Sequence, residues 1–144
     1  MEVAFLRFIA TEDDLNRLLS RWLTPPSKLR DLSIEVIPDE LLLRGVYETI
    51  LRVPFKCFWK ISVFDRRMVA ELSNIKCIGV RLNLLKPYVL NELVSNCNVL
   101  ERRGESVFLD LDRLLAQMIV PIRTNLTSVR CGTGQLVIEC GNIQ

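Results

Sequence analysis

The chain has 144 residues, 19 Lys and Arg against 17 Asp and Glu, no His, five Cys, six Gly and six Pro. That length suits one domain that buries roughly 70% of the surface exposed by the unfolded chain, enough for a core without disulfides or a metal. With 49% hydrophobic and 25% charged residues the composition is that of a globular protein. The missing His rules out Ser/His/Asp and Cys/His relays, His metal ligands and imidazole acid–base chemistry.

Residues 3–9 read as a short strand. Thr11 offers an N-cap with Asp14 three residues on, and Glu12, Asp13 and Asp14 fall where the helix dipole favours negative charge. The helix runs to about Leu23, with Leu15, Leu18, Leu19, Trp22 and Leu23 on one face, and Thr24-Pro25-Pro26 ends it. Leu32, Ile34 and Val36 alternate with Ser33 and Glu35, turn at Pro38-Asp39-Glu40, and return as a strand over 41–49. Residues 53–63 are the strongest strand. Val53, Phe55, Cys57, Trp59, Ile61 and Val63 point one way, and Lys56, Phe58, Lys60 and Ser62 the other.

A turn at Asp65-Arg66-Arg67 leads into strand 68–78, and Gly79 separates it from a second helix over about 84–97. Pro87 is tolerable there in the first turn. Leu85, Val89, Leu93 and Cys97 form one row, widened by Leu82, Tyr88, Leu90 and Val94, so the helix is expected to be covered on more than one side. A hairpin about Arg103-Gly104 follows, then a short helix from Asp110 through Met118. Strands 119–130 and 135–140 close the chain about Gly132-Thr133-Gly134. Asp14-Leu15-Asn16-Arg17-Leu18-Leu19 and Asp110-Leu111-Asp112-Arg113-Leu114-Leu115 agree at five of six positions, which suggests a helix–hairpin repeat over 11–45 and 108–141, chance convergence being the alternative. The expected fold class is a single α+β domain over 1–144: a curved antiparallel sheet packed around two longer amphipathic helices plus one short helix.

Chemistry is sparse. No glycine-rich phosphate loop or nucleophile elbow is present, and Cys131-Gly132-Thr133-Gly134 precedes a strand, so it reads as a turn. Asp110 and Asp112 suit helix capping better than a metal. Cys57, Cys77, Cys97, Cys131 and Cys140 contain no Cys-x-x-Cys, and only Cys131 and Cys140, flanking the glycine turn, are candidates for a pair. A net charge of +2 with small mixed clusters argues against nucleic acid. No apolar run is long enough for a membrane span, and the first residues do not read as a signal peptide, so a cytoplasmic, at most membrane-peripheral, location is expected. No cofactor and no catalysis are expected. What stands out is strand 53–63, with Phe58 and, just beyond it, Phe64 on the face opposite Phe55 and Trp59. A helix-covered core facing a partner chain, a curved sheet with an apolar groove, and an ordinary core with a few exposed aromatics all account for this.

The order of elements, from Asp14-Leu15-Asn16-Arg17-Leu18-Leu19 and Leu42-Leu43-Arg44-Gly45 to Phe108-Leu109-Asp110-Leu111-Asp112-Arg113-Leu114-Leu115 and Leu136-Val137-Ile138-Glu139-Cys140-Gly141, resembles the bacterial LmeA-like phospholipid-binding family. That family is related to tubular lipid-binding domains, in which a curved sheet wraps around a long helix. The resemblance loosely spans residues 11–141; the chain departs from it in being short and in lacking the usual export signal. It implies non-catalytic binding of a lipid or other apolar ligand between the sheet and the second helix, lined by Phe55, Trp59, Leu85, Val89 and Leu93. The competing expectation is a structural or protein–protein interaction module, a homodimer or partner scaffold, with no small-molecule ligand.

Overall fold

A computed structural model describes residues 6–22, 28–77, 82–95, 100–110 and 125–141. In chain order these form β1 (Leu6–Thr11), α1 (Glu12–Trp22), β2 (Leu29–Ile37), β3 (Glu40–Glu48), β4 (Arg52–Phe64), β5 (Arg67–Cys77), α2 (Leu82–Ser95), β6 (Leu100–Arg103), β7 (Ser106–Leu109), β8 (Asn125–Cys131) and β9 (Gln135–Gly141). The strands make two antiparallel sheets, a large one in the order β2-β3-β4-β5-β7-β6 and a small one in the order β1-β9-β8.

The turns follow from local chemistry. Asp39 stands at φ 68°, and Asp65 and Arg66 at 50° and 62°. Asp65-Arg66, with both residues left-handed, is a two-residue loop whose twist agrees with that of the strands, whereas Pro38-Asp39, with Pro first and only Asp39 left-handed, has the pattern of a type II turn. Gly104 and Gly134 supply the same geometry at φ 63° and 72° without a Cβ penalty. Gly45 serves close packing instead: a Cβ there would lie 2.5 Å from Leu32 Cδ2 and 2.9 Å from Phe55 Cζ.

Alternation along β4 divides the large sheet into two faces. Val53, Phe55, Cys57 and Trp59 are buried on the inner face, whereas Lys56 and Lys60 are exposed on the outer one and Phe58 is half-buried there. Two layers cover the inner face. Val89, Leu90 and Leu93 of α2 press on Phe55, Cys57, Trp59, Leu72 and Ile75, forming the larger core. Toward the β4–β5 turn, Leu126, Val129, Leu136, Ile138 and Cys140 of the small sheet pack with Met68, Ile61 and Val63. Ile61 belongs to both clusters.

Helix α1 joins the sheets. Thr11 N–H donates to Asp14 Oδ2 at 3.0 Å and Asp14 N–H donates to Thr11 Oγ1 at 3.2 Å, a reciprocal cap. These bonds hold the Asp14 carboxyl below its ordinary pKa, the backbone bond contributing most. Leu15 and Leu18 pack on the smaller core and Leu19 on the larger. Its polar side meets the edge of β2: Asn16 Nδ2 donates to Ile34 C=O at 3.1 Å, Ile34 N–H donates to Asn16 Oδ1 at 2.7 Å, and Val36 N–H donates to Glu12 Oε1 at 2.9 Å.

Several expectations are corrected here. The protein is mostly β, with two sheets and two helices among the described residues, not one curved sheet packed around two longer helices and a short one. The reason is the pairing of β9 with both β1 and β8, which makes the second layer on the inner face a sheet. Helix α1, whose polar groups are spent on the β2 edge, lies at the margin. Helix α2 begins at Leu82, so Pro87 is inside the helix and removes one internal hydrogen bond instead of falling in the first turn. Tyr88, Asn91 and Ser95 of α2 face solvent, so the helix keeps one exposed side. Register sets Cys131 opposite Leu136 and Cys140 opposite Leu126, so the two cysteines do not face each other across the hairpin. Cys97 and the expected helix of residues 110–118, and with it the second half of the repeat, lie outside the described residues apart from Asp110.

Asn16→Ala removes both hydrogen bonds to Ile34 and leaves an edge donor and acceptor unpaired in a half-buried position. At roughly 1 kcal/mol per bond, it is expected to lower unfolding stability by about 2 kcal/mol in urea titrations. Asn16→Asp, which keeps the acceptor, should lose less.

Candidate functional site

The residues expected to line a groove do come together, but as packed core. Phe55, Trp59, Val89 and Leu93 are 3%, 5%, 0% and 8% exposed and belong to one cluster with Cys57, Ile75 and Leu90. They share one buried cluster because α2 packs its apolar side on the inner face of the large sheet. The Leu85 side chain lies outside the described residues.

A cleft occurs elsewhere, where the two sheets meet. Asp39 N–H donates to Cys131 C=O at 3.1 Å and Gly134 N–H donates to Val36 C=O at 2.8 Å, so the β2–β3 and β8–β9 hairpins are stitched together at their turns. Gly134 has no side chain to obstruct this approach. Between the stitched turns and β4 lies a cleft of about 420 Å³, lined by Asp39, Ile61, Val129, Arg130, Cys131, Gly132 and Val137. Its size falls in the range of small-ligand sites, roughly 300–1,000 Å³.

The lining is mixed: Ile61, Val129 and Val137 are apolar, while Asp39 and Arg130 supply opposite charges. Arg130 Nη2 lies 3.0 Å from Glu139 Oε1, and two-thirds of its side chain is exposed. The Cys131 thiol is pushed up to about 11 by burial first and then by the Asp39 and Glu40 carboxylates. At neutral pH it is therefore a protonated, weakly polar wall and not a nucleophile. Deeper in the protein, burial and the nearby Cys77 raise the Cys57 thiol to about 12. Among the described residues, no group of three or more Cys, Asp or Glu is arranged to hold a metal ion.

None of these lining residues carries a recognisable motif. Their proximity depends on one hairpin docking on another that lies about ninety residues away, a non-local contact to which hydrophobic periodicity is blind. The glycine turn was the one available signal, since Gly132-Thr133-Gly134 leaves backbone groups free to approach another chain segment. No family model matches the chain, and neither curated proteins nor solved structures include a significant match.

Alkylation of native protein by iodoacetamide tests the cleft electrostatics. A thiol moved from 9.0 to about 11 has roughly one-hundredth of the ordinary thiolate at pH 8. The Cys131 peptide should gain label slowly at pH 8, with a rate that climbs about tenfold per pH unit until near pH 11. A plateau by about pH 10 would show an unperturbed thiol.

Proposed function

We propose that this protein is a non-catalytic binding module that takes an apolar or amphipathic ligand, of the fatty-acid class, in the cleft between β4 and the β8–β9 hairpin. The observation that carries this reading is the cleft itself, an opening of about 420 Å³ with Ile61, Val129 and Val137 in its wall and Arg130 beside it. An acyl chain would displace water from the aliphatic lining, which contributes roughly 25 cal/mol per Å² of apolar surface covered. An anionic end group would lie near the Arg130 guanidinium, in competition with Glu139. The resemblance of residues 11–141 to LmeA-like phospholipid-binding proteins supports the same ligand class. The ligand position differs from the one that resemblance implies, because α2 occupies the inner face there.

A second reading, a protein–protein interaction module, has one observation in its favour. Phe64 is 63% exposed on the outer face of the large sheet, beside the Phe108 ring at 6.5 Å. Phe108 itself is flanked by Arg67 and Arg103, each with its guanidinium carbon 4.9 Å from the ring centre. Glu101 pairs with both arginines, so the charges in this cluster are largely satisfied internally. Light scattering across micromolar concentrations separates the readings, because a homodimer through this face would dissociate on dilution.

The ligand reading is tested by titrating the protein with a fluorescent fatty acid. Wild type should bind saturably at one site per chain. Val137→Trp, at a half-buried position in the cleft wall, should weaken binding at least about tenfold while leaving the melting temperature within a few degrees. Absence of uptake, or uptake unaffected by Val137→Trp, would contradict the assignment of the cleft.

A further inference from the structure

The β3–β4 turn differs from the other hairpin turns. Those place Pro38-Asp39, Asp65-Arg66, Gly104 and Gly132-Thr133-Gly134 at their tips, residues that suit water and tight backbone geometry. The β3–β4 turn is Thr49-Ile50-Leu51. Ile50 is 101% exposed and Leu51 69% exposed, so two consecutive large aliphatic side chains stand in solvent at the tip of a hairpin. Thr49 N–H donates to Leu51 C=O at 2.9 Å and Glu48 N–H donates to Lys28 C=O at 2.7 Å, which fixes the tip in place.

Behind the tip the surface changes in layers. Tyr88 of α2 is 56% exposed, with its ring 6.1 Å from that of Tyr47, two residues before the turn. Arg52 begins β4 and pairs with Glu48 and Asp31. Next on the outer face, register places Arg44, Lys56 and Lys76 directly opposite one another on three adjacent strands. Arg44 is partly neutralised by Glu35 at 3.3 Å, and Lys76 lies over the Phe58 ring at 5.5 Å. Lys56 is exposed and makes no ion pair among the described residues. Like charges directly opposite on a sheet destabilise it, a cost that an anionic surface would relieve.

We propose that this end of the large sheet docks on an anionic lipid bilayer. Ile50 and Leu51 enter the acyl region, Tyr88 sits at the interface, and the rung of Arg44, Lys56 and Lys76 faces the phosphates. Tyr88 flanks the tip on the inner-face side and the cations flank it on the outer-face side, so an end-on approach of the tip brings an aromatic ring and positive charge toward the membrane surface from both faces of the sheet. The exposed apolar surface is also a convex point two residues wide. A stable protein interface buries roughly 800 Å² per partner, far more than such a point offers, whereas a bilayer accepts single inserted side chains. The tip is independent of the cleft, which lies near Asp39 at the other end of β3, roughly 30 Å away by the rise of the strand.

Co-sedimentation with vesicles tests this directly. Wild type should sediment with phosphatidylcholine vesicles containing about one-third phosphatidylglycerol, and less with phosphatidylcholine alone. Ile50→Ser with Leu51→Ser should reduce binding to the mixed vesicles at least about tenfold with an unchanged melting temperature, since neither side chain is packed. Lys56→Glu should abolish the preference for the anionic vesicles. Val137→Trp, which fills the cleft, should sediment as wild type does; its loss of binding would place the membrane contact at the cleft and overturn the tip. The proposal also falls if wild type stays in the supernatant with both vesicles, if the double serine variant binds undiminished, or if that variant instead converts a dimer to a monomer.

Discussion

The arrangement of this protein depends on how one strand edge is closed. β2 is the terminal strand of the large sheet, and its outward N–H and C=O groups would otherwise form a template for another chain. Helix α1 closes it with side chains. The carboxamide of Asn16 both donates to and accepts from Ile34, as a neighbouring strand would, and Glu12 accepts from Val36. Gly134 completes the row by donating to the Val36 carbonyl. Each bond is worth roughly 1 kcal/mol, but the alternative is a set of unpaired edge groups, which costs more.

This closure fixes the placement of both sheets. Helix α1 follows β1 directly, so docking it on β2 brings β1 over the inner face of the large sheet. β9 pairs with β1, β8 with β9, and the glycine turn between β8 and β9 reaches the β2–β3 turn. The same contacts that tie the sheets together leave the cleft beside them. Its lining is therefore mixed, with Ile61 and Val129 from the facing sheets, Val137 beside them, and Asp39 and Arg130 toward the turns. The inner face beyond it is taken by α2, whose Val89 and Leu90 are almost fully buried. At the opposite end of the large sheet no described element covers the β3–β4 turn, where Ile50 and Leu51 stand exposed.

Element types and boundaries were largely legible from the residues, because they depend on local periodicity and turn chemistry. The alternation of β4, the cap of Thr11 and Asp14, and the turns at Asp39, Asp65 and Gly104 are all visible in the sequence within a residue or two. The assembly was not. Whether β8 and β9 extend the large sheet or lie on top of it is set by contacts across ninety residues, and both arrangements bury the same alternating side chains. The expected groove failed to appear as a groove for a related reason: Phe55, Trp59, Val89 and Leu93 are the residues any tightly packed core would use, and periodicity does not distinguish a lining from a filling. Asn16 illustrates the limit most clearly. On the helix it reads as one more polar position, and its role as a surrogate strand exists only once β2 lies beside it. The signal at Ile50-Leu51 was present, as a pair of large aliphatics where turn-forming residues are expected, and their exposure could be read only from the folded chain.

Amide hydrogen exchange at β2 tests the central role of this edge most directly. If α1 closes the edge, the amides of Ile34 and Val36 exchange only on global unfolding, with protection matching that of residues paired inside the large sheet, such as Cys57. Exchange of Ile34 and Val36 at the rate of exposed amides, with the interior strands still protected, would show an open edge and contradict this account of how the two sheets are held together.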